Sequence, residues 1–122
     1  MGSQVKLTDA EKTRRLAEGC MGWTYSRADK HHHAAWKTVD GLYLGSDVWQ
    51  PLTNEAHAAE VRERMRELGW ETQLTYGTIK DWAGVNDCKG TQFLRHGKRG
   101  TMTRVSSEVS LLALGLAKEE QL

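Results

Sequence analysis

The chain has 122 residues, 39% of them apolar, and a formal net charge of +1. That length suits one domain with a core of its own, and the near balance of charge supplies no global field for a nucleic-acid duplex or an anionic membrane. No run approaches the ~18 apolar residues of a membrane span, and MGSQVKLTDAEK lacks the apolar centre of a signal peptide. The expectation is therefore a cytosolic protein with Cys20 and Cys88 as reduced thiols rather than a disulfide. Met1-Gly2-Ser3 reads equally as native sequence or as an expression remnant.

A first helix is expected after Leu7. Thr8 and Glu11 have the spacing of a capping box, in which the hydroxyl and the carboxylate satisfy each other's backbone N–H. Ala10, Leu16, Ala17, Cys20 and Met21 supply its apolar side, and Gly22 closes it. Trp23-Thr24-Tyr25 begins a short strand or an extended turn. Residues 26–48 read as an irregular loop with glycine and aspartate turn signals, holding short strands near Trp36–Val39 and Leu42–Leu44.

The clearest element follows. Pro51 stands ahead of a helix that Thr53 or Asn54 caps. Ala58, Val61, Met65 and Leu68 form its apolar stripe, and Gly69 ends it in a left-handed conformation. Trp70, Thr72, Leu74 and Tyr76 then alternate with Glu71, Gln73 and Thr75, the period of a strand with one buried face.

Residues 77–91 read as a second irregular loop. A hairpin is expected beyond it, Thr91–Arg95 with Gly100–Val105, joined by the basic turn Arg95-His96-Gly97-Lys98-Arg99-Gly100. Ser106 or Ser107 caps a final helix with a stripe of Val109, Leu112, Ala113 and Leu116, widened by Leu111 and Leu114. Gly115 lies inside it at a cost of about 1 kcal/mol, and residues 118–122 are a frayed tail. The whole is a single α+β domain over residues 1–122, a layered α/β sandwich with a small antiparallel or mixed sheet flanked by three helices. Among the tryptophans, Trp23, Trp49 and Trp70 border regular elements and read as core, whereas Trp36 and Trp82 fall in polar, glycine-rich stretches that leave core and ligand contact both open.

Several landmarks resemble the phage ABA-sandwich domain family. Cys20-Met21-Gly22-Trp23 resembles the close of that family's first helix, and Asp47-Val48-Trp49-Gln50-Pro51-Leu52-Thr53 the approach to its second. Glu67-Leu68-Gly69-Trp70 resembles the join into the next strand, and Ser107–Lys118 the closing helix. The likeness runs from about Thr8 to Lys118 and lapses over Arg27–Leu44 and Gly77–Thr101, which are longer and more polar. It implies a sheet flanked by helices and an origin in a phage or prophage. It supplies no catalytic motif, because the landmark residues turn the chain and fill the core.

Chemistry-bearing residues gather in a few places. His31-His32-His33, with Asp29 and with His57 or His96, suggests a metal centre, but neighbours in an extended run face opposite ways, so a solvated loop is the simpler reading. The turn from Arg95 to Arg104 has glycines that let a ligand approach the backbone. Its successive N–H groups can form an anion nest, and Arg95, Lys98, Arg99 and Arg104 with the hydroxyls of Thr101 and Thr103 would hold a phosphate. Trp82 would stack on a base. The same turn also reads as a solvated hairpin. Cys88 beside Lys89 lacks a positioned base, so a cysteine nucleophile finds no support.

These readings point to a non-enzymatic phage or prophage accessory protein of the host cytoplasm, acting in counter-defence by sequestering a nucleotide-like ligand or blocking a host defence protein. No catalytic residue, metal ligand or cofactor is assigned, and no membrane or strong nucleic-acid signal is present. A metal-dependent phosphoester hydrolase and a structural or assembly protein that forms a homo-oligomer are the alternatives.

Overall fold

The computed structural model describes residues 5–122, so the reading of Met1–Ser3 lies outside it. The order is α1 (Asp9–Arg15), a turn of wider π-type helix (Leu16–Cys20), β1 (Thr24–Ser26), β2 (Ala35–Lys37), β3 (Tyr43–Gly45), α2 (Glu55–Glu67), β4 (Glu71–Tyr76), β5 (Lys80–Asn86), β6 (Gln92–Lys98) and α3 (Met102–Ala113). The α+β class is as expected. The strands divide into two antiparallel three-stranded sheets, β1-β2-β3 and β4-β5-β6, each a simple meander. No helix among the described residues is long and apolar enough to cross a membrane.

The elements whose caps lie within their own sequence form where expected. The Thr8 hydroxyl accepts the Glu11 N–H at 3.1 Å and starts α1. Asn54, not Thr53, caps α2 by accepting the His57 N–H. Ala58, Val61 and Met65 are fully buried along α2. At its end Gly69 has φ +96, and the Trp70 N–H reaches back to the Met65 carbonyl at 2.9 Å, the six-to-one closure that only a left-handed residue permits without strain. Leu68 falls just past the stripe and is exposed. Trp70, just ahead of β4, and Thr72 and Leu74 within it turn inward as predicted, but Tyr76 is exposed at the strand's end.

Other expectations are corrected. Residues 77–91 are not a loop: Lys80–Asn86 form β5, the central strand, with Asp81, Ala83 and Val85 buried. Its partner β6 extends to Lys98, and Gly100–Val105 is not a strand but the turn into α3, which begins at Met102. Ser106 and Ser107 therefore cap nothing. They are buried within α3, where the Ser106 hydroxyl donates to the Thr103 carbonyl and the Ser107 hydroxyl to the Pro51 carbonyl at 2.7 Å. Gly115 lies beyond the helix, not inside it, and its φ of +69 lets the Leu116 N–H close on the Leu111 carbonyl at 2.9 Å. The tail is not frayed: Glu119–Gln121 make a 3-10 turn, and the Leu7 N–H donates to the Gln121 carbonyl at 2.8 Å.

The main layer consists of α2 and α3 packed together on one face of β4-β5-β6. Burial of their apolar side chains supplies the driving force for that layer, and Val105, Val109 and Leu111 of α3 belong to the same buried core as Ala83 and Val85 of β5. The aromatic end of the core lies under the smaller sheet. Trp23 and Trp49 meet with ring centroids 4.7 Å apart, and Trp36 is buried beside Tyr25. Trp70 is half-buried against Phe93, so Trp82 is the one clearly exposed indole, at 41%.

Candidate functional site

The basic turn does form a nest of backbone N–H groups, but the anion in it belongs to the chain. Asp81, 1% exposed, points from β5 under the turn. Its Oδ2 accepts the N–H of Gly100 at 2.9 Å and of Thr101 at 3.1 Å. The carboxylate thus sits at the positive end of α3 and does the work of a cap. Thr101 makes no side-chain cap; its hydroxyl donates to the Lys98 carbonyl at 2.6 Å.

The expected ligand residues separate into groups with different surroundings. Arg95 faces α3, where Nε donates to Glu108 at 2.9 Å and a terminal nitrogen to Glu119 at 2.6 Å. Arg104 grips Asp9 with two parallel bonds of 2.8 and 2.7 Å. Those bonds hold the Asp9 carboxyl below the usual carboxylate range and raise the Arg104 guanidinium further. The Thr103 hydroxyl donates to Glu55 at 3.0 Å, and Glu55 is itself lowered, first by its hydrogen bonds from Arg62. A ligand anion at any of these positions would compete with a carboxylate already in place. Arg99 is exposed and lines a cleft of about 630 Å³ with Tyr76, Thr78, Glu55 and Asp81.

Trp82 and Lys98 lie elsewhere. Strand alternation sends Asp81, Ala83 and Val85 toward the helices and Lys80, Trp82 and Gly84 to the opposite face, which no helix among the described residues covers. On β6 the same rule turns Phe93, Arg95 and Gly97 inward and Leu94, His96 and Lys98 outward. The register then sets Trp82 opposite His96, Lys80 opposite Lys98 and Gly84 opposite Leu94. The Trp82 and His96 rings approach to 4.6 Å between centroids, tilted by 46°. Leu94 folds over the bare backbone of Gly84, where an added Cβ would lie 2.9 Å from its methyl group. Trp82 and Lys98 are thus on one side of the sheet, and Arg95, Thr103 and Arg104 are on the other.

Two features distinguish this face. Trp82 and Leu94 are 41% and 54% exposed beside one another, so apolar surface is left in water. Lys80 and Lys98 oppose each other directly, and like charges so placed destabilise a sheet. Neither lysine has an ion-pair partner among the described residues. Lys80 and His96 were not in the predicted ligand set. Their signal was the period-two pairing of Lys80 with Trp82 and of His96 with Lys98, visible only once both segments are recognised as strands.

The histidine run is exposed, and His32 Nδ1 lies 3.2 Å from Asp29. The N–H groups of His31 and His32 bond Asp29 and lower its carboxyl. His57 accepts the Gln50 N–H, and His96 is on the uncovered sheet face, so neither joins the run. Among the described residues, no group of three or more His, Cys, Asp and Glu side chains is arranged to hold a metal ion.

Cys20 is 2% exposed, and burial pushes its thiol up to about 11, while Cys88 is exposed. Reaction requires the thiolate. A thiol reagent at neutral pH should therefore modify Cys88 promptly and Cys20 only after denaturant is added. Equal native rates at both positions would remove Cys20 from the core.

Comparison of the chain with protein-family models, with curated proteins and with solved structures finds no match.

Proposed function

We propose that this protein acts by binding, without catalysis, and that its ligand is a nucleotide-like anion carried on the uncovered face of β4-β5-β6. The base stacks on the Trp82–His96 pair, and the phosphate lies toward Lys80 and Lys98. The observation that carries this reading is the juxtaposition of an exposed aromatic pair at 4.6 Å with two directly opposed, unpaired lysines. An aromatic face attracts any planar base, and an anion between the lysines relieves their repulsion. The resemblance to phage ABA-sandwich proteins supports the wider assignment, an accessory protein of phage or prophage that acts in the host cytoplasm in counter-defence. Sequestering a nucleotide signal would need only the binding face.

The test is titration of wild type with mono-, di- and cyclic nucleotides up to millimolar concentration, followed by tryptophan fluorescence and calorimetry. Stacking contributes roughly 1–3 kcal/mol per base, so Trp82→Ala should weaken binding about 5- to 150-fold. Trp82 is exposed, so the fold should survive the change. If wild type binds neither these nucleotides nor a short oligonucleotide, the reading fails and a host protein becomes the better partner. If Trp82→Ala binds as well as wild type, the ligand sits elsewhere.

A further inference from the structure

We infer that the nucleotide-like ligand is a segment of single-stranded nucleic acid, laid across the uncovered face of β4-β5-β6 with one base on Trp82–His96 and neighbouring phosphates at Lys80 and Lys98. The inference rests on the binding reading above and narrows its ligand class.

Shape is the first argument. Sites for free small molecules are concave and bury most of the ligand. Trp82 and His96 line none of the clefts of about 570, 630 and 790 Å³ on this protein. They stand on the open face of a three-stranded sheet, outside these clefts, where a lone nucleotide would keep much of its area in water. A polymer gains on such a surface, because each further base and phosphate adds contacts without a pocket. Flat sheets bearing aromatic residues and lysines hold single strands for this reason.

The order of residues across the face is the second argument. Lys80 and Lys98 occupy one end, Trp82 and His96 the next rung, and Gly84 and Leu94 the one after. Thr75 and Gln73 of β4 extend those two rungs, and Glu71, Asn86 and Gln92 form the last. Cationic, aromatic, apolar and amide groups therefore succeed one another along β5 and β6, with the Glu71 carboxylate on β4 at the end farthest from the lysines. A nucleic-acid strand offers phosphate, base face and base edge in the same neighbourhood. Leu94 adds an apolar surface for a second base, and the amides of Gln73, Asn86 and Gln92 add hydrogen-bonding groups for base edges. A duplex hides its base faces inside the stack and cannot use Trp82. The net charge of +1 likewise argues against a duplex binder, which depends on many phosphate contacts.

The experiment uses the full chain and unstructured oligothymidylate and oligouridylate of about six nucleotides, within the range of site sizes known for single-strand platforms. Each is compared with the mononucleotide and with a duplex of equal length at low salt. Quenching that is lost in Trp82→Ala separates the Trp82 signal from that of the other four tryptophans. The hexamer should bind at least about tenfold more tightly than the mononucleotide, and the duplex should leave Trp82 unquenched. Trp82→Ala should weaken hexamer binding by about 5- to 150-fold. The affinity should fall with salt at a slope of about −0.7 for each phosphate neutralised, hence about −1.4 for two lysines. Lys80→Ala with Lys98→Ala should bring that slope close to zero while leaving the unfolding midpoint unchanged or higher.

Mononucleotide binding that depends on Trp82, with no gain for the hexamer, would overturn the strand and leave the nucleotide reading standing. Absence of binding by all the probes would overturn both. Duplex bound as tightly as the single strand, or a hexamer indifferent to Trp82→Ala, would show charge attraction alone and overturn the platform. A wild-type dimer that Trp82→Ala converts to monomer, without oligonucleotide binding, would make this face an interface between copies instead.

Discussion

Replacing Asp81 with alanine should lower stability by about 2–4 kcal/mol, read as a reduced urea midpoint at unchanged slope. The carboxylate is buried and receives the N–H groups of Gly100 and Thr101, the last two before α3 begins. Hydrogen bonds to a charged group contribute more than neutral ones, and removing the acceptor leaves the Gly100 N–H without a protein partner and the Thr101 N–H with only the longer 3.2 Å bond to the Lys98 carbonyl. The helix also loses the negative charge at its positive end. Asp81→Asn keeps an acceptor oxygen and should lose roughly half as much. Alanine at this position with a midpoint near wild type would mean that α3 starts without help from β5. The variant should also leave ligand-dependent quenching at Trp82 unchanged, because that side chain leaves β5 on the other face.

Asp81 also explains where sequence reading stopped. The helix through Glu55–Glu67 was legible because its cap, stripe and stop all lie within its own sequence, at Asn54, Ala58 through Met65, and Gly69. The start of α1 was legible for the same reason, at Thr8 and Glu11. Strand β5 reverses the usual rule: it buries an aspartate and exposes a tryptophan. The reason lies in the turn before α3, far along the chain. That turn in turn looked like a strand, because Thr101, Thr103 and Val105 alternate and the helix is capped from outside by Asp81. Helix α3 carries buried Ser106, Ser107, Glu108 and Ser110, so its inner face is partly polar and its apolar stripe read as starting too late. The serine hydroxyls are satisfied by the carbonyls of Thr103, Pro51 and Ser106, which no periodicity reveals. On α1, Ala10 is exposed and Lys12 is buried, the inverse of the amphipathic expectation, because the lysine's partner is on α3.

The candidate site was legible in part for a similar reason. Trp82 and Lys98 were named from residue type, but the site was drawn as one contiguous turn. Once β6 runs through Arg95–Lys98 as a strand, adjacent residues point to opposite faces. Arg95 then joins the acids under α3, while His96 joins Trp82 on the uncovered face.

The acids under α3 supply the largest expected effect. Glu108 should be the least replaceable charged residue of the protein: Glu108→Ala should cost about 3–5 kcal/mol and leave little folded protein at modest urea concentrations. Its carboxylate bonds Lys12 through Oε2 and Arg95 through Oε1, and the Lys12 and Glu108 side chains are each 5% exposed. Removing the carboxylate strands the Lys12 ammonium in the interior, where water cannot replace the lost partner. Arg95 suffers less, because Glu119 still holds it at 2.6 Å. A double-mutant cycle separates this account from simple loss of volume. Lys12→Met removes the stranded charge and keeps an apolar stem of similar length, so Lys12→Met with Glu108→Gln should be more stable than Glu108→Gln alone, by about 2 kcal/mol. If the double variant is no better than the single one, the penalty comes from the cavity and the broken bond to Arg95, not from the buried ammonium. If Glu108→Ala unfolds within about 1 kcal/mol of wild type, water reaches Lys12 and the ion pair is not sealed. The same network joins the N-terminal helix to β6 and to the C-terminal turn, and the Arg15 guanidinium adds a bond to the Leu116 carbonyl at 2.7 Å. Hydrogen exchange should therefore show α1 and the Glu119–Gln121 turn losing protection together in the Glu108 variants, while the uncovered face of β4-β5-β6, which shares none of these contacts, keeps its Trp82–His96 geometry until global unfolding.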